Sequence, residues 1–309
     1  MKVKMTRIFG YHLAPADADR FVDKMLEAEP DAHVIVLDGP MWTPEVEEIM
    51  NAVTHGKMTH AQAAAMGMET QDGFYSQILK RLEGTKKILM FADIPARAGA
   101  NAPPPEVTVR YHKALQEFQN IDQILHQRPF SYEEALRESE RIAKEFAAAN
   151  AAREEYIIEN FPKRLTRVAK EHPALKMKSP LNLVEFYGLA HTTGIGKEMR
   201  KLHPQAEPYR LSAKPAVNDY MGEYVRVLSM KKAPAPELAH KALASFLIED
   251  LILSQDLMRK EDARTYPIML RKLIDSLSMD DLKKFYELYM VKRNTAAAAE
   301  LISSRLKIT

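Results

Sequence analysis

Residues Asn182–Gly196, NLVEFYGLAHTTGIG, constrain the fold more than any other stretch. An apolar, β-prone run passes into a turn holding His191, small residues and two glycines, and a helix-like segment, Lys197–Leu202, follows at once. A buried strand that delivers one imidazole to a strand–helix turn has this pattern. Met5–Arg20, MTRIFGYHLAPADADR, repeats it and delivers His12. Two such turns require a frame that brings strand ends together.

Other segments supply the frame. Val3–Phe9, His33–Leu37, Lys87–Phe91 and Leu181–Phe186 read as strands, with Tyr209–Leu211 as one more. Helical spacing of apolar residues separates them, as in Ala16–Ala28 with Phe21, Val22, Met25 and Leu26. Strands alternating with helices predict an α/β fold, its sheet mostly parallel or mixed and flanked by helices. Thr43-Pro44-Glu45 predicts a helix start, and Thr59 with Gln62 and Ser131 with Glu134 have capping-box spacing. A long helix is expected from Ser131 to about Asn160, ended or kinked by Pro162, with a second short helix over Lys163–Glu171. Val107–Tyr111 fits a short strand or a helix start, and Ile94–Glu106, rich in proline and alanine, reads as a linker or lid. From Val217 the pattern is helix after helix. The expected domains are therefore 1–215, α/β with a polar cleft at its strand ends, and 216–309, an all-helical region that packs on it or mediates association.

Composition removes several function classes. A net charge of +2, with both signs well mixed, gives no footprint for nucleic acid or an anionic membrane. The absence of cysteine excludes disulfides, thiolate metal sites and a cysteine nucleophile. No run approaches the ~18 apolar residues of a membrane span, and the N-terminal MKVKMTRIFGYHL makes a poor signal peptide. A cytoplasmic protein is the expectation.

The chemistry-bearing residues lie where strands end: His12, Asp38, Asp93 and His191. Ligands of parallel sheets sit outside the carboxyl ends of the strands. Imidazole takes and gives protons near neutral pH, and a carboxylate fixes its tautomer. The same set could bind a divalent metal. The bland alternative is that each is an ordinary turn or capping residue. On the long helix, Arg153, Tyr156, Asn160 and Arg164 share one face, suited to a substrate carboxylate, phosphate or hydroxyl, or simply to salt bridges. Thr192 and Gly194 line the late turn, and Tyr11 the early one. GIGK at Gly194–Lys197 lacks phosphate-loop spacing, although an anion could sit at a helix start there.

Three ordered pieces carry a resemblance: GYH at Gly10–His12 with the following strand VIVLDGP, AREEYIIEN at Ala152–Asn160, and GLAHTTGIGKEM at Gly188–Met199. The set resembles the erythromycin-esterase/ChaN/TraB (Tiki) superfamily over roughly Val3–Leu202. The resemblance implies an α/β fold with a polar strand-end cleft. Activities described for the superfamily include esterase, metal-dependent protease and haem binding. His12 and His191 would match the motif histidines, Asp38 the acidic strand end, and Arg153 and Asn160 the helix motif. Tyr11 stands where esterase-like members carry Glu, and Asp38 where Glu is commoner. The expected function is a hydrolase of a small-molecule or peptide substrate, His12 or His191 serving as general base, Asp38 orienting an imidazole and Arg153 holding an oxygen. The alternative is a non-catalytic protein that binds a small ligand or metal, with a partner or a second copy on the helical region.

Overall fold

In the computed structural model, the described residues are 3–10, 15–39, 42–68, 73–97, 104–127, 130–178, 180–188, 195, 207–210, 220–254 and 266–306. The chain divides into two compact units. Unit 1 comprises Met1–Val109 and Ala151–Pro215, and unit 2 comprises Arg110–Asn150 and Ala216–Thr309. The helical segment before Asn150 thus belongs with the C-terminal helices, which places a boundary inside the stretch 1–215.

Unit 1 is built on five parallel strands: β1 (Val3–Gly10), β2 (Val34–Leu37), β3 (Ile88–Phe91), β4 (Leu181–Gly188) and β5 (Glu207–Arg210), in the order β3-β2-β4-β1-β5. The expected α/β class is what the chain adopts. Every described residue of β2 and β3 is buried, as their unbroken apolar runs require of strands covered on both faces. Ile8, Ile35, Leu37, Leu89, Phe91, Val184 and Phe186 point to one face. There they meet α1 (Pro15–Ala28), α2 (Pro44–Thr54) and α4 (Phe74–Leu82) through Phe21, Met50 and Phe74. Met5, Val34, Val36, Met90, Leu183 and Tyr187 point to the other face, which α7 (Tyr132–Glu171) covers with Ile157, Phe161, Leu165 and Val168.

The chain starts in β1 and moves past β4 to β2, then to β3. It returns to β4, between β2 and β1, and next moves past β1 to β5. Successive strands therefore progress in opposite directions from the adjacent pair β1 and β4. This is a topological switch point, where the carboxyl ends of a parallel sheet leave a crevice.

Helix starts follow the local signals. Thr43 caps α2, its Oγ1 accepting from Val46 N, and Pro44 occupies the first turn. Thr59 and Gln62 form a capping box at the start of α3 (His60–Ala63), as do Ser131 and Glu134 at the start of α7. Glu106–Gln119 is helix α5, resolving the strand-or-helix choice at Val107.

Pro162 does not end its helix: α7 runs on to Glu171 and absorbs the expected second helix. The apolar positions Ile157, Phe161, Leu165 and Val168 keep helical spacing across the proline, and all four are buried on the sheet. Burying such side chains is worth ~1.5–3 kcal/mol each, enough to offset the ~3 kcal/mol that an interior proline costs. Pro162 itself lies on the exposed side.

Among its described residues unit 2 is all helical, with α6 (Ile121–His126), α8 (Tyr220–Ser229), α9 (Pro236–Ser254), α10 (Tyr266–Asp275), α11 (Met279–Tyr286) and α12 (Thr295–Leu306). Its core gathers Leu243, Leu247, Leu251, Leu273, Phe285 and Ile302. No helix among the described residues is long and apolar enough to cross a membrane.

Replacing Pro162 restores a backbone donor in a helix already held by packing. Pro162→Ala should raise the unfolding free energy in urea by about 1–3 kcal/mol. A variant no more stable than wild type would contradict a continuous α7.

Candidate functional site at the carboxyl ends of the strands

β1 and β4 lie side by side in parallel register from Val3↔Leu181 to Gly10↔Gly188. That register sets Arg7 beside Glu185. Both point to the α7 face, by alternation from Met5 and Leu183. Arg7 is 1% exposed and Glu185 0%. Arg7 Nε donates to Glu185 Oε2 at 2.5 Å, and Arg7 Nη2 lies 3.0 Å from the Met5 sulfur. Tyr187 follows on the same face, also fully buried.

Burial raises the Glu185 carboxyl to about 7, against the pull of Arg7. Burial also pushes the Tyr187 phenol well up, with the Glu185 charge acting the same way, so Tyr187 is a neutral hydroxyl at physiological pH. Arg7, Asp38 and Asp93 also act electrostatically on that hydroxyl. The groups that act on Tyr187 therefore come from β1 and β4 and from the residues that follow β2 and β3.

Asp38 follows β2 and is buried. Its backbone N donates to Phe186 O at 3.1 Å, extending the ladder one residue past Leu37. Its carbonyl accepts from the Tyr75 hydroxyl. Gly39 is required next: a Cβ there would lie 2.8 Å from Phe91 Cε1 and 2.9 Å from Tyr75 Oη.

Asp93 follows β3 and is pinned from several sides. Its Oδ1 accepts from Arg153 Nε at 2.8 Å and from Ile94 N at 2.7 Å, and Arg153 Nη2 donates to Oδ2. Trp42 Nε1 donates to its carbonyl at 2.7 Å. Asp93 and Arg153 are both buried, so their pair ties α7 to the end of β3. One helical turn after Asn160, Arg164 lies 4.1 Å over the Trp42 ring, donates to Phe91 O at 3.2 Å and pairs with Glu47. Burial raises the Glu47 carboxyl, while Arg164 opposes that rise.

The other helix-face residues are less engaged with the sheet. Tyr156 is half-buried, and burial raises its phenol. Asn160 Nδ2 donates to Tyr156 O at 2.9 Å, and its Oδ1 accepts from Lys163 at 3.2 Å. Asp38, Asp93 and Arg153 are thus brought to one end of the sheet, whereas Tyr156 and Asn160 make local helix contacts. His12, His191, Tyr11, Thr192 and Gly194 lie outside the described residues. Among the described residues no group of three or more His, Asp and Glu is arranged for a metal ion.

Arg7, Glu185 and Tyr187 were not singled out by sequence reasoning. Their signal was an arginine in one strand and a glutamate in another, each three residues before a glycine. As a set these groups can hold and exchange a proton, fix an imidazole and exclude water. No protein family, no curated protein and no solved structure matches the chain.

Two predictions follow from these pairs. Arg153→Ala leaves Asp93 as an uncompensated buried charge, and should cost about 3–5 kcal/mol in urea unfolding. Arg153→Lys, lacking the planar fork, should recover only part of it. A loss under about 1 kcal/mol would contradict a structural ion pair.

The second concerns pH. A carboxyl raised in the folded state keeps its proton where the unfolded chain has lost it. Its contribution is then complete below the ordinary value of 4.5 and is lost as pH rises to about 7. The stability of wild type relative to Glu185→Gln should fall by up to about 3 kcal/mol across that window. A relative stability that increases with pH would mean that Arg7 outweighs burial.

Proposed function

We propose that the chain is a hydrolase whose site lies at the carboxyl ends of β1 and β4, with His12 and His191 as its acid–base pair. The observation that supports this is the level pairing of Gly10 with Gly188 at the switch point. His12 stands two residues beyond Gly10 and His191 three beyond Gly188. Chain geometry limits their Cα atoms to roughly 8 and 11 Å from those strand ends. Two imidazoles leaving neighbouring strands at one level can act on one substrate.

In this mechanism one imidazole takes a proton from water as the oxygen attacks an ester or amide carbonyl. The second donates to the carbonyl oxygen as negative charge develops. Asp38 orients an imidazole and supports its cationic form. Arg153 acts as a positioning residue: it holds Asp93, and so the end of β3, rather than substrate. The substrate class is a small molecule or peptide with a hydrolysable carbonyl.

A binding protein without turnover is the second reading. What favours it is the pairing of Arg153 with Asp93, since the oxygen-holding role expected of that guanidinium then passes to another donor. A screen of chromogenic esters and peptides decides between the two. Hydrolysis should fall at least about 100-fold in His12→Ala and in His191→Ala, with thermal stability close to wild type. Undiminished activity in either variant would sink the acid–base assignment. Saturable binding without turnover in wild type would establish the second reading.

A further inference from the structure

At the amino end of the sheet, two helices of unit 1 finish beside each other. α2 ends at Thr54 and α7 at Glu171, and the next residue of each is a histidine, His55 and His172. Lys86 N, just before β3, donates to Thr54 O at 2.7 Å, which places this corner at the start of the strands. The two imidazole rings have centroids 5.7 Å apart and planes within 17° of parallel. Both residues are half-buried. Backbone bonds fix where the rings sit: His55 N donates to Asn51 O at 3.0 Å, His172 N to Val168 O at 2.9 Å, and Leu175 N to His172 O at 2.9 Å.

The tautomer of His55 is fixed as well. Its Nδ1 lies 2.7 Å from Asn51 O. A carbonyl oxygen only accepts, so Nδ1 carries the hydrogen, and the lone pair of the neutral ring lies on Nε2. Thr54 Oγ1, 3.4 Å from the same nitrogen, donates to the same carbonyl at 3.1 Å. One ring nitrogen tied to a backbone carbonyl, with the other left for a cation, is the usual orientation of a metal-binding histidine. A divalent ion bonds an imidazole nitrogen at ~2.0–2.1 Å, so two rings that share one ion have centres no more than roughly 6.4 Å apart. The spacing here meets that limit. Each ring also stands at a helix C-terminus, where the macrodipole presents partial negative charge. Of the charged groups that act on His172, Lys57 opposes a cation, and Glu171 favours one while pairing with Arg167 at 2.6 Å. Offset stacking of two neutral rings is the alternative, and it confers no affinity for an ion.

We propose that His55 and His172 together bind one divalent ion of the copper–nickel–zinc class, with water completing its coordination. Imidazole suits these ions, and with no cysteine in the chain it is the best donor available to them. The ion clasps the end of α2 to the end of α7 and stabilises the folded chain by mass action. The site lies at the opposite end of the strands from the proposed hydrolytic site and does not rest on that reading.

Equilibrium dialysis of the metal-stripped full chain against Ni2+ tests this. The His12→Ala/His191→Ala protein should retain a saturable site, which separates it from any ion held at the strand-end crevice. Adding His55→Ala or His172→Ala to that protein should weaken binding at least about tenfold. Electron paramagnetic resonance of Cu2+ bound to the His12→Ala/His191→Ala protein should show two coupled imidazole nitrogens, a result that does not depend on the further variants folding. No saturable site, unchanged affinity after either further substitution, or coupling to a single nitrogen would overturn the proposal.

Discussion

The register between β1 and β4 is what the rest of unit 1 depends on. Because Val3 lies beside Leu181 and Gly10 beside Gly188, Arg7 falls beside Glu185 and both are sealed under α7. A slip of one residue would turn every side chain of one strand to the opposite face. Arg7 would then enter the apolar layer of Phe21, Phe74 and Phe186, where nothing compensates its charge. The buried pair need not add net stability, since replacing such a pair by apolar residues is often neutral or better. We read its value as specifying the alignment and placing ionisable groups beneath the switch point.

α7 is the second constraint. Its apolar row of Ile157, Phe161, Leu165 and Val168 covers the sheet, and Arg153 and Arg164 clamp the helix to the end of β3 through Asp93 and Phe91 O and to α2 through Glu47. Trp42 joins the clamp by its indole N–H to Asp93 O and by its ring under the Arg164 guanidinium. Sheet and helix are thereby locked at the carboxyl ends, the side from which a parallel sheet serves its ligands. A rigid floor of this kind suits groups that must be held in fixed geometry.

Much of this was legible in the chain. Continuous apolar runs such as VIVL and ILMF announce strands buried on both faces, and alternation with helices announces a parallel sheet. Thr43-Pro44 and the two capping boxes mark helix starts because their side chains satisfy backbone donors within one turn. What failed was local reasoning about Pro162, where packing on the sheet outweighs a backbone penalty. Arg7 and Glu185 escaped notice because each is unremarkable in its own strand. Their meaning exists only once β1 and β4 are neighbours, and strand order is a long-range property. For the same reason Arg153 invited a ligand-holding role from its helix face, while its partner Asp93 lies sixty residues away in sequence.

The central claim is that the segments following β1 and β4 form one site. With no native cysteine, the chain permits a direct measurement: a doubly substituted His12→Cys/His191→Cys protein treated with a short bifunctional thiol reagent. The predicted result is rapid cross-linking within one chain, at a rate that dilution does not change. Absence of an intramolecular link, with both thiols reactive to a monofunctional reagent, would contradict it.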